Sequence, residues 1–334
     1  MTDTVNEDRA VAGSDKDSQG DVISWRIWLM RGMVVAGMLL AGWLLYHTLG
    51  RYSFDELVQS VTSFPLGRLA SAGLFAAASY LCLTGFDALA VRYVGKRLAY
   101  PRVALTSFVS LSLGHSIGFA GLSSGAIRYR FYSRWGLSAG DVSKIILFSG
   151  MTVGVGLATL GGVSILLRPA LAAKLIGVSQ PLVLALGIGS LAATALYLVA
   201  AAFVKGRLRI RKWTLEMPDL RLALAQVALG SLNFALVAAC LHQALSAVTE
   251  IPYLTAATAF VLANMGVLIT HVPGGLGIIE AVVVYLLPQA NVIGALLVFR
   301  FVYFLAPLVI GSIVFAVTEL VWRSKASKDV SAER

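Results

Sequence analysis

Long apolar runs separated by short polar connections make up most of the chain after its first two dozen residues. The runs are about 20 residues or longer and lack the alternation of a half-buried strand, so they predict membrane-spanning α-helices. The same pattern excludes a transmembrane β-barrel, whose strands alternate apolar and polar residues. Eight hydrophobic units follow one another, near residues 27–49, 66–94, 103–122, 144–168, 181–204, 222–248, 253–287 and 292–322.

Two of these units are interrupted by glycine-rich segments. The segment Gly114–Gly121 breaks the third unit, and His271–Gly277, which contains a proline, breaks the seventh. Backbone groups freed by a break at membrane depth need protein or a water-filled cavity around them. We therefore predict an all-α polytopic membrane protein with six full spans and two broken, re-entrant units.

The two breaks also indicate an internal repeat. A shift of 156 residues places the motif His-x-x-Gly-x-x-Gly that begins at His115 on the one that begins at His271. The same shift superimposes the first, second and fourth units on the fifth, sixth and eighth. Each half then has three full spans, an odd number, so the second half is predicted to be inverted. The repeats cover about residues 27–168 and 181–323 of a single transmembrane domain, 23–334.

Composition and charge agree with this class and indicate an orientation. Hydrophobic residues make up 58% of the chain and charged residues 13%, which excludes a soluble globular protein. With both broken units re-entrant, most of the 27 lysines and arginines fall on one side, which the positive-inside rule makes cytoplasmic. Both termini are then cytoplasmic, and residues 1–22 form a disordered acidic tail. The expected location is the bacterial cytoplasmic (inner) membrane.

Motifs for the common enzyme chemistries are missing from the sequence. It has no phosphate-binding loop, no His-Glu-x-x-His and no Gly-x-Ser-x-Gly motif, and its four histidines are scattered. Cys82 and Cys240 lie inside apolar units, so we interpret them as packing residues rather than metal ligands. We therefore expect no catalytic residue, no metal site and no cofactor.

Ionisable residues at membrane depth are the strongest site candidates, because a charge in lipid is costly. Glu280 is the only charge in the half-helix after the second break. It either faces a cavity as an anion or proton carrier, or it is neutral and stabilises the break. Asp87, near the cytoplasmic end of the second unit, needs a cation such as Arg128 or Arg130, and both a structural ion pair and a substrate role are open. Arg300 lies either opposite Glu280 or at the outer interface.

A run of arginines and aromatic residues follows the first break. Arginine forks suit phosphate groups, and aromatic rings suit the lipid headgroup level. The run either binds a headgroup phosphate or is a positive-inside loop with aromatic anchors. Nucleic acid is not an expected partner, because the run adjoins membrane segments and no soluble domain presents a groove. The residues of the run are Arg128, Arg130 and Arg134 among Tyr129, Tyr132 and Trp135.

Two motifs resemble a known family. They are Gly121-Leu-Ser-Ser-Gly-Ala-Ile-Arg-Tyr-Arg-Phe-Tyr-Ser-x-x-Gly-Leu137 and Pro273-Gly-Gly-Leu-Gly-Ile-Ile-Glu280. Both are similar to the membrane (flippase) region of bacterial lysylphosphatidylglycerol synthase/flippase proteins, the multiple peptide resistance factors. The resemblance extends over nearly all of residues 27–322.

The resemblance implies roles for particular side chains. It assigns the headgroup phosphate to Arg128 and Arg130, and a substrate or proton-coupling role to Glu280 and, less directly, to Asp87. Further candidates are Ser124, His271 and Arg300.

The implied function is a phospholipid translocase that works without ATP hydrolysis. It would move an amino-modified, zwitterionic or anionic phospholipid, such as lysylphosphatidylglycerol, between leaflets. The sequence ends at Arg334 without the aminoacyl-transferase domain of two-part family members, so lysyl transfer is not expected and the chain is not expected to be an enzyme.

Two alternatives stay open. One is an accessory lipid-binding protein of a glycolipid or hopanoid pathway, and the other is a lipid transferase with Glu280 as general base near His271. Expected partners are membrane phospholipids, a separate lipid-modifying enzyme and a second copy of the chain.

Overall fold

Apolar helices form nearly all of the regular structure, as expected where backbone hydrogen bonds are satisfied without water. The computed structural model describes residues 62–117, 120–204, 207–210, 213–270, 275, 277–288 and 292–332. All of them lie within one unit, Tyr52–Arg334. The acidic tail and the first predicted span, 27–49, lie outside the described residues.

The helices follow the predicted hydrophobic units closely. Among the described residues, five helices are long and apolar enough to cross a membrane: α1, α4, α6, α7 and the continuous helix Val292–Trp322. The prediction of an all-α polytopic membrane protein is therefore confirmed. The helices are α1 (Leu66–Tyr93), α2 (Tyr100–Ile117), α3 (Ala120–Ser133), α4 (Ala139–Leu167), α5 (Pro169–Ile176), α6 (Gln180–Phe203), α7 (Leu220–Leu245), α8 (Tyr253–Thr270), α9 (Ile278–Leu286), α10 (Val292–Arg300), a π-helical turn (Phe301–Leu305) and α11 (Ala306–Ala332).

Both predicted breaks separate two short helices. The first lies between α2 and α3, and the second between α8 and α9. Part of the predicted segment Gly114–Gly121 is helical, because α2 continues through Gly114 to Ile117 and α3 begins at Ala120. A single glycine lowers the stability of a helix interior by only about 1 kcal/mol, so it does not by itself end the helix. At the second break, Gly275 and Gly277 have positive φ angles of 62° and 85°, which favour glycine.

The centre of the bundle is the contact between α1 and α7. Arg68 Nη1 donates a hydrogen bond to Gln243 Oε1 (2.8 Å) near the start of α1. Ser79 Oγ donates to Asn233 Oδ1 (2.7 Å) at the midpoint of both helices. Residue numbers rise along α1 as those of their partners fall along α7, so the two helices run antiparallel.

The antiparallel contact agrees with the proposed inverted repeat. The 156-residue shift relates Ala78 to Phe234, and these residues adjoin the Ser79–Asn233 contact. A two-fold axis relating the predicted repeats would pass through the point where α1 and α7 meet. Packing elsewhere has the same pairing: α1 packs on α2 as α7 packs on α8, and α2 packs on α11 as α8 packs on α4. The repeat boundaries and the orientation in the membrane stay predictions.

A short β-ribbon joins α6 to α7 and departs from the all-helical prediction. Strand β1 (Arg207–Ile210) pairs antiparallel with β2 (Trp213–Glu216). The sequence Arg-Leu-Arg-Ile in β1 has the two-residue alternation of a strand. The hydroxyl of Tyr93, at the end of α1, donates to the carbonyl oxygen of Glu216 and fixes the ribbon to the helix bundle.

A glycine pair sets the closest approach of α4 and α7. A Cβ atom added to Gly156 would lie 2.3 Å from the carbonyl carbon of Gly230, and one added to Gly230 would lie 2.5 Å from the carbonyl oxygen of Thr152. Such contacts are shorter than any side chain tolerates, so the two backbones meet only because both positions are glycine. Gly154, in the same helix, has nothing within 4 Å of its added Cβ.

We expect Gly156→Ala to lower the stability of the bundle by at least about 1–3 kcal/mol, because the added methyl group meets backbone that cannot move aside. Gly154→Ala is the matched control and should leave stability unchanged or slightly raised, since alanine is the better helix former. Thermal unfolding of the purified protein in detergent measures both. Equal melting temperatures for the two variants would rule out this packing.

Candidate functional site

Arg128 and Asp87 form a fully buried ion pair. The Arg128 side chain, on α3, is 3% exposed, and the Asp87 side chain, on α1, is 0% exposed. Arg128 Nε donates to Asp87 Oδ2 (2.9 Å), and Nη2 donates to Oδ1 (2.9 Å). This two-point geometry is the strongest form of a guanidinium–carboxylate contact. Of the two cations predicted to neutralise Asp87, the structure selects Arg128.

Further polar groups complete the hydrogen bonding of this pair. The Tyr132 hydroxyl donates to Asp87 Oδ2 (3.1 Å), and Ser149 Oγ donates to Oδ1 (3.2 Å). Arg128 Nη1 donates to Ser124 Oγ (3.0 Å). Ser149 belongs to α4, so the cluster joins α1, α3 and α4 through one carboxylate. Sequence analysis did not single out Tyr132 or Ser149 as partners of Asp87.

Arg130 belongs to a different ion pair. Its Nε donates to Glu319 Oε1 (2.6 Å) on α11, and its Nη2 donates to Oε2. Residues two apart on a helix face in different directions. Arg128 therefore points to α1 and α4, whereas Arg130 points to α11. The two guanidiniums do not meet, and their predicted shared role in holding one phosphate stays a prediction.

A third ion pair joins α9, the helix after the second break, to the end of α10. Arg300 Nε donates to Glu280 Oε1 (2.8 Å), and Nη2 donates to Oε2 (3.0 Å) and to the carbonyl oxygen of Gly275 (3.0 Å). The Gly277 backbone N–H donates to Glu280 Oε2 (2.9 Å), which caps the start of α9. The guanidinium also lies 4.9 Å from the centre of the Phe304 ring. Of the two positions open for Arg300, the structure has the one opposite Glu280.

The ion pairs lie at opposite ends of the bundle. We call these the Tyr93 end and the Leu66 end, after the two ends of α1. Asp87 is about 9 Å along α1 from Tyr93, and Arg300 and Glu319 are about 28 Å apart along one helix. Contacts of α5 with α8 and α9 place the Glu280–Arg300 pair at the Leu66 end, because α5 follows the end of α4 that lies there.

A buried polar contact lies between the two ends. Ser79 Oγ is 3.2 Å from the Tyr303 hydroxyl as well as bonded to Asn233. Tyr303 lies in the π-helical turn, and its carbonyl oxygen accepts a hydrogen bond from the Tyr80 hydroxyl (3.4 Å). Such turns are frequent at functional sites, because they widen the helix and change its backbone pairing. No motif in the sequence marks these residues.

The remaining candidates divide into described and undescribed residues. Ser124 belongs to the Arg128 cluster, whereas His271 lies outside the described residues. Within the part of the chain that the structure describes, no three His, Cys, Asp or Glu side chains are grouped as metal ligands. Cys82 and Cys240 are buried free thiols.

Comparison with known proteins places the chain in a family. A family model described as the lysylphosphatidylglycerol synthase TM region matches residues 34–311. The chain belongs to this family. The resemblance drawn from two motifs is thereby confirmed over most of the chain.

Two relatives match over similar lengths. The chain is 30% identical over 287 residues to "Uncharacterized protein slr0712" of Synechocystis sp., covering 85% of this chain and 89% of that protein. It is 29% identical over 292 residues to "Inner membrane protein YbhN" of Escherichia coli, covering 84% of this chain and 90% of that protein. The region matched by the family model, residues 34–311, includes both broken units together with Arg128, Arg130 and Arg300.

We expect Asp87→Ala to destabilise the bundle by about 3–5 kcal/mol, because it leaves the Arg128 charge buried without its carboxylate. The double variant Asp87→Ala/Arg128→Leu removes both charges and should recover part of this loss. Thermal unfolding in detergent is measured for both single variants, Asp87→Ala and Arg128→Leu, and for the double variant. If the double variant were as unstable as the sum of the two single variants, the two charges would not be coupled.

Proposed function

We propose that this membrane protein moves a phospholipid headgroup between leaflets, without ATP hydrolysis and without chemical change to the lipid. The observation that carries the proposal is the pair of ionic contacts at opposite ends of one helix. Glu319 on the helix Val292–Trp322 binds the first broken unit through Arg130, and Arg300 on the same helix binds the second through Glu280. Each broken unit is thus held against this helix by an ion pair, and an ionic headgroup can take the place of one partner in that pair.

The cost of separating charges explains how a lipid opens such a contact. Removing one partner from a buried ion pair costs about 3–5 kcal/mol, because the other charge stays unpaired. A headgroup that brings the missing charge avoids this cost. A phosphate replaces the carboxylate beside an arginine, and an ammonium group replaces the guanidinium beside Glu280.

This requirement favours a headgroup with both signs of charge. An amino-modified or zwitterionic phospholipid, such as lysylphosphatidylglycerol, carries a phosphate and an ammonium group. The name of the matched family model supports this class of lipid. Arg128 and Arg130 are the proposed phosphate-binding residues, and Glu280, with Asp87, is the proposed binding or proton-coupling residue.

Alternate opening at the two ends supplies the route of movement. Opening of the Arg128 and Arg130 contacts admits a headgroup at the Tyr93 end, and opening of the Glu280–Arg300 contact releases it at the Leu66 end. Inverted repeats around a central site commonly work in this way. The acyl chains stay in the lipid throughout.

The charge distribution supports an orientation and a location. We propose that the Tyr93 end is cytoplasmic, that both termini lie on that side and that the chain resides in the bacterial inner membrane. The relative from Escherichia coli is named an inner membrane protein. Proposed partners are membrane phospholipids, together with a separate lipid-modifying enzyme that supplies the amino-modified lipid.

We expect Glu280→Gln to abolish leaflet exchange while leaving the fold intact. Glutamine still accepts the Gly277 N–H and caps α9, but it does not neutralise Arg300. The assay follows headgroup-labelled phosphatidylglycerol, lysylphosphatidylglycerol and phosphatidylethanolamine in proteoliposomes. Glu250→Gln is the matched control, because it makes the same substitution at an exposed carboxylate.

Two results would contradict the proposal. One is the absence of exchange of any of the three lipids by folded wild-type protein. The other is full exchange by Glu280→Gln. Size-exclusion chromatography and circular dichroism confirm that each variant is folded before transport is compared.

A further inference from the structure

Two arginines stack on two tryptophans at the surface of the Tyr93 end. The Arg134 guanidinium carbon lies 4.0 Å from the centre of the Trp322 ring, and that of Arg102 lies 5.6 Å from the centre of the Trp135 ring. The two indole rings contact each other edge to face, with centroids 6.1 Å apart. We call Arg102, Arg134, Trp135 and Trp322 the rim cluster.

Aromatic packing holds the rim cluster rigid. Phe131, which is fully buried, contacts the Trp322 ring at 5.0 Å and the Trp135 ring at 6.3 Å between centroids. The cluster therefore joins the start of α2, the end of α3 and the end of the last span. Rigid placement of the arginines lowers the entropy lost when an anion binds.

Charge at the rim cluster is positive. Glu319 is the acidic partner there, and its two oxygens bind Arg130, while Arg134 Nη2 lies 3.8 Å from Oε1. Arg130 and Arg134 thus share one carboxylate, and Arg102, stacked on Trp135, adds a further positive charge. The neighbourhood favours an anion over a cation.

The chemistry of a stacked guanidinium suits a phosphodiester. Stacking uses the flat face of the group, and the N–H donors lie in its plane, around the edge. Phosphate oxygens bind that edge. The Arg134 side chain is 37% exposed and Arg102 is also exposed, so both are accessible from outside the bundle.

The tryptophans indicate where the anion comes from. Indole rings concentrate at the headgroup level of a bilayer, and long basic side chains reach the same level. We propose that the rim cluster binds the phosphate of an anionic phospholipid from the leaflet at the Tyr93 end. This inference goes beyond the proposed function, because the anionic lipid bound here differs from the amino-modified or zwitterionic lipid proposed for transport, and its binding is tested without transport.

The experiment measures lipid binding to the full chain in detergent by native mass spectrometry. Phosphatidylglycerol is titrated against phosphatidylcholine, and inorganic phosphate is titrated separately. Arg134→Gln should weaken phosphatidylglycerol binding about tenfold, the effect of losing one charge-assisted contact. Trp322→Leu should weaken it in the same direction, because it removes the stacking surface and keeps every charge.

Arg97→Gln is the matched control, since it removes an exposed arginine at the same end of the bundle but outside the rim cluster. It should bind phosphatidylglycerol as the wild type does. An equal loss in Arg97→Gln would mean attraction to surface charge in general and would overturn the proposal. Saturation by inorganic phosphate at the same concentrations would also overturn it, because the site would then bind free phosphate rather than lipid. Intact rim binding together with absent leaflet exchange would contradict the translocase alone.

Discussion

An unpaired charge inside an apolar helix bundle is strongly destabilising, and the packing of this protein depends on that constraint. Arg128 and Asp87 are both out of solvent, so each is stable only in the presence of the other. Their contact fixes α3 against α1, and the Ser149 hydroxyl extends it to α4. The first broken unit is therefore located by electrostatics as much as by apolar packing.

The helix Val292–Trp322 contacts both broken units of the bundle. It carries Arg300 near one end and Glu319 near the other, and each of these residues binds a different broken unit. The π-helical turn interrupts regular pairing just after Arg300, beside the polar contact of Ser79 with Asn233. A small rotation at this turn changes the position of Arg300 relative to Glu319. In the proposed translocation cycle, such a rotation strengthens one ionic contact while it weakens the other.

Much of this arrangement follows from the sequence, because membrane helices obey a few strong rules. Apolar length predicted the spans, and the cost of a buried charge selected Asp87, Glu280 and Arg128. The same rule applies to Glu319, a lone carboxylate in the last apolar run, but it was overlooked. The partner of Arg300 was left open because residues 301–322 are nearly long enough to span alone.

Other features depend on three-dimensional packing and leave no clear pattern in the amino-acid sequence. Gly150 and Gly154 form a Gly-x-x-x-Gly motif, a pattern typical of close helix contacts, but both glycines are exposed and Gly156 makes the contact instead. Arg128 and Arg130 looked equivalent in sequence, and only the turn of α3 separates their partners. The two strands of the ribbon between α6 and α7 have four residues each, which is too short for their alternation to mark a strand in the sequence.

The central claim is that the two ends open alternately. Spin labels at Ser133 and Ser324 report on the Tyr93 end, and labels at Tyr285 and Ile293 report on the Leu66 end, after replacement of the two native cysteines. Pulsed electron paramagnetic resonance in liposomes with and without lysylphosphatidylglycerol measures both distances. We expect the lipid to shift the two distance distributions in opposite directions, one longer and one shorter. Unchanged distributions at both ends, in a preparation that exchanges lipid, would contradict the account.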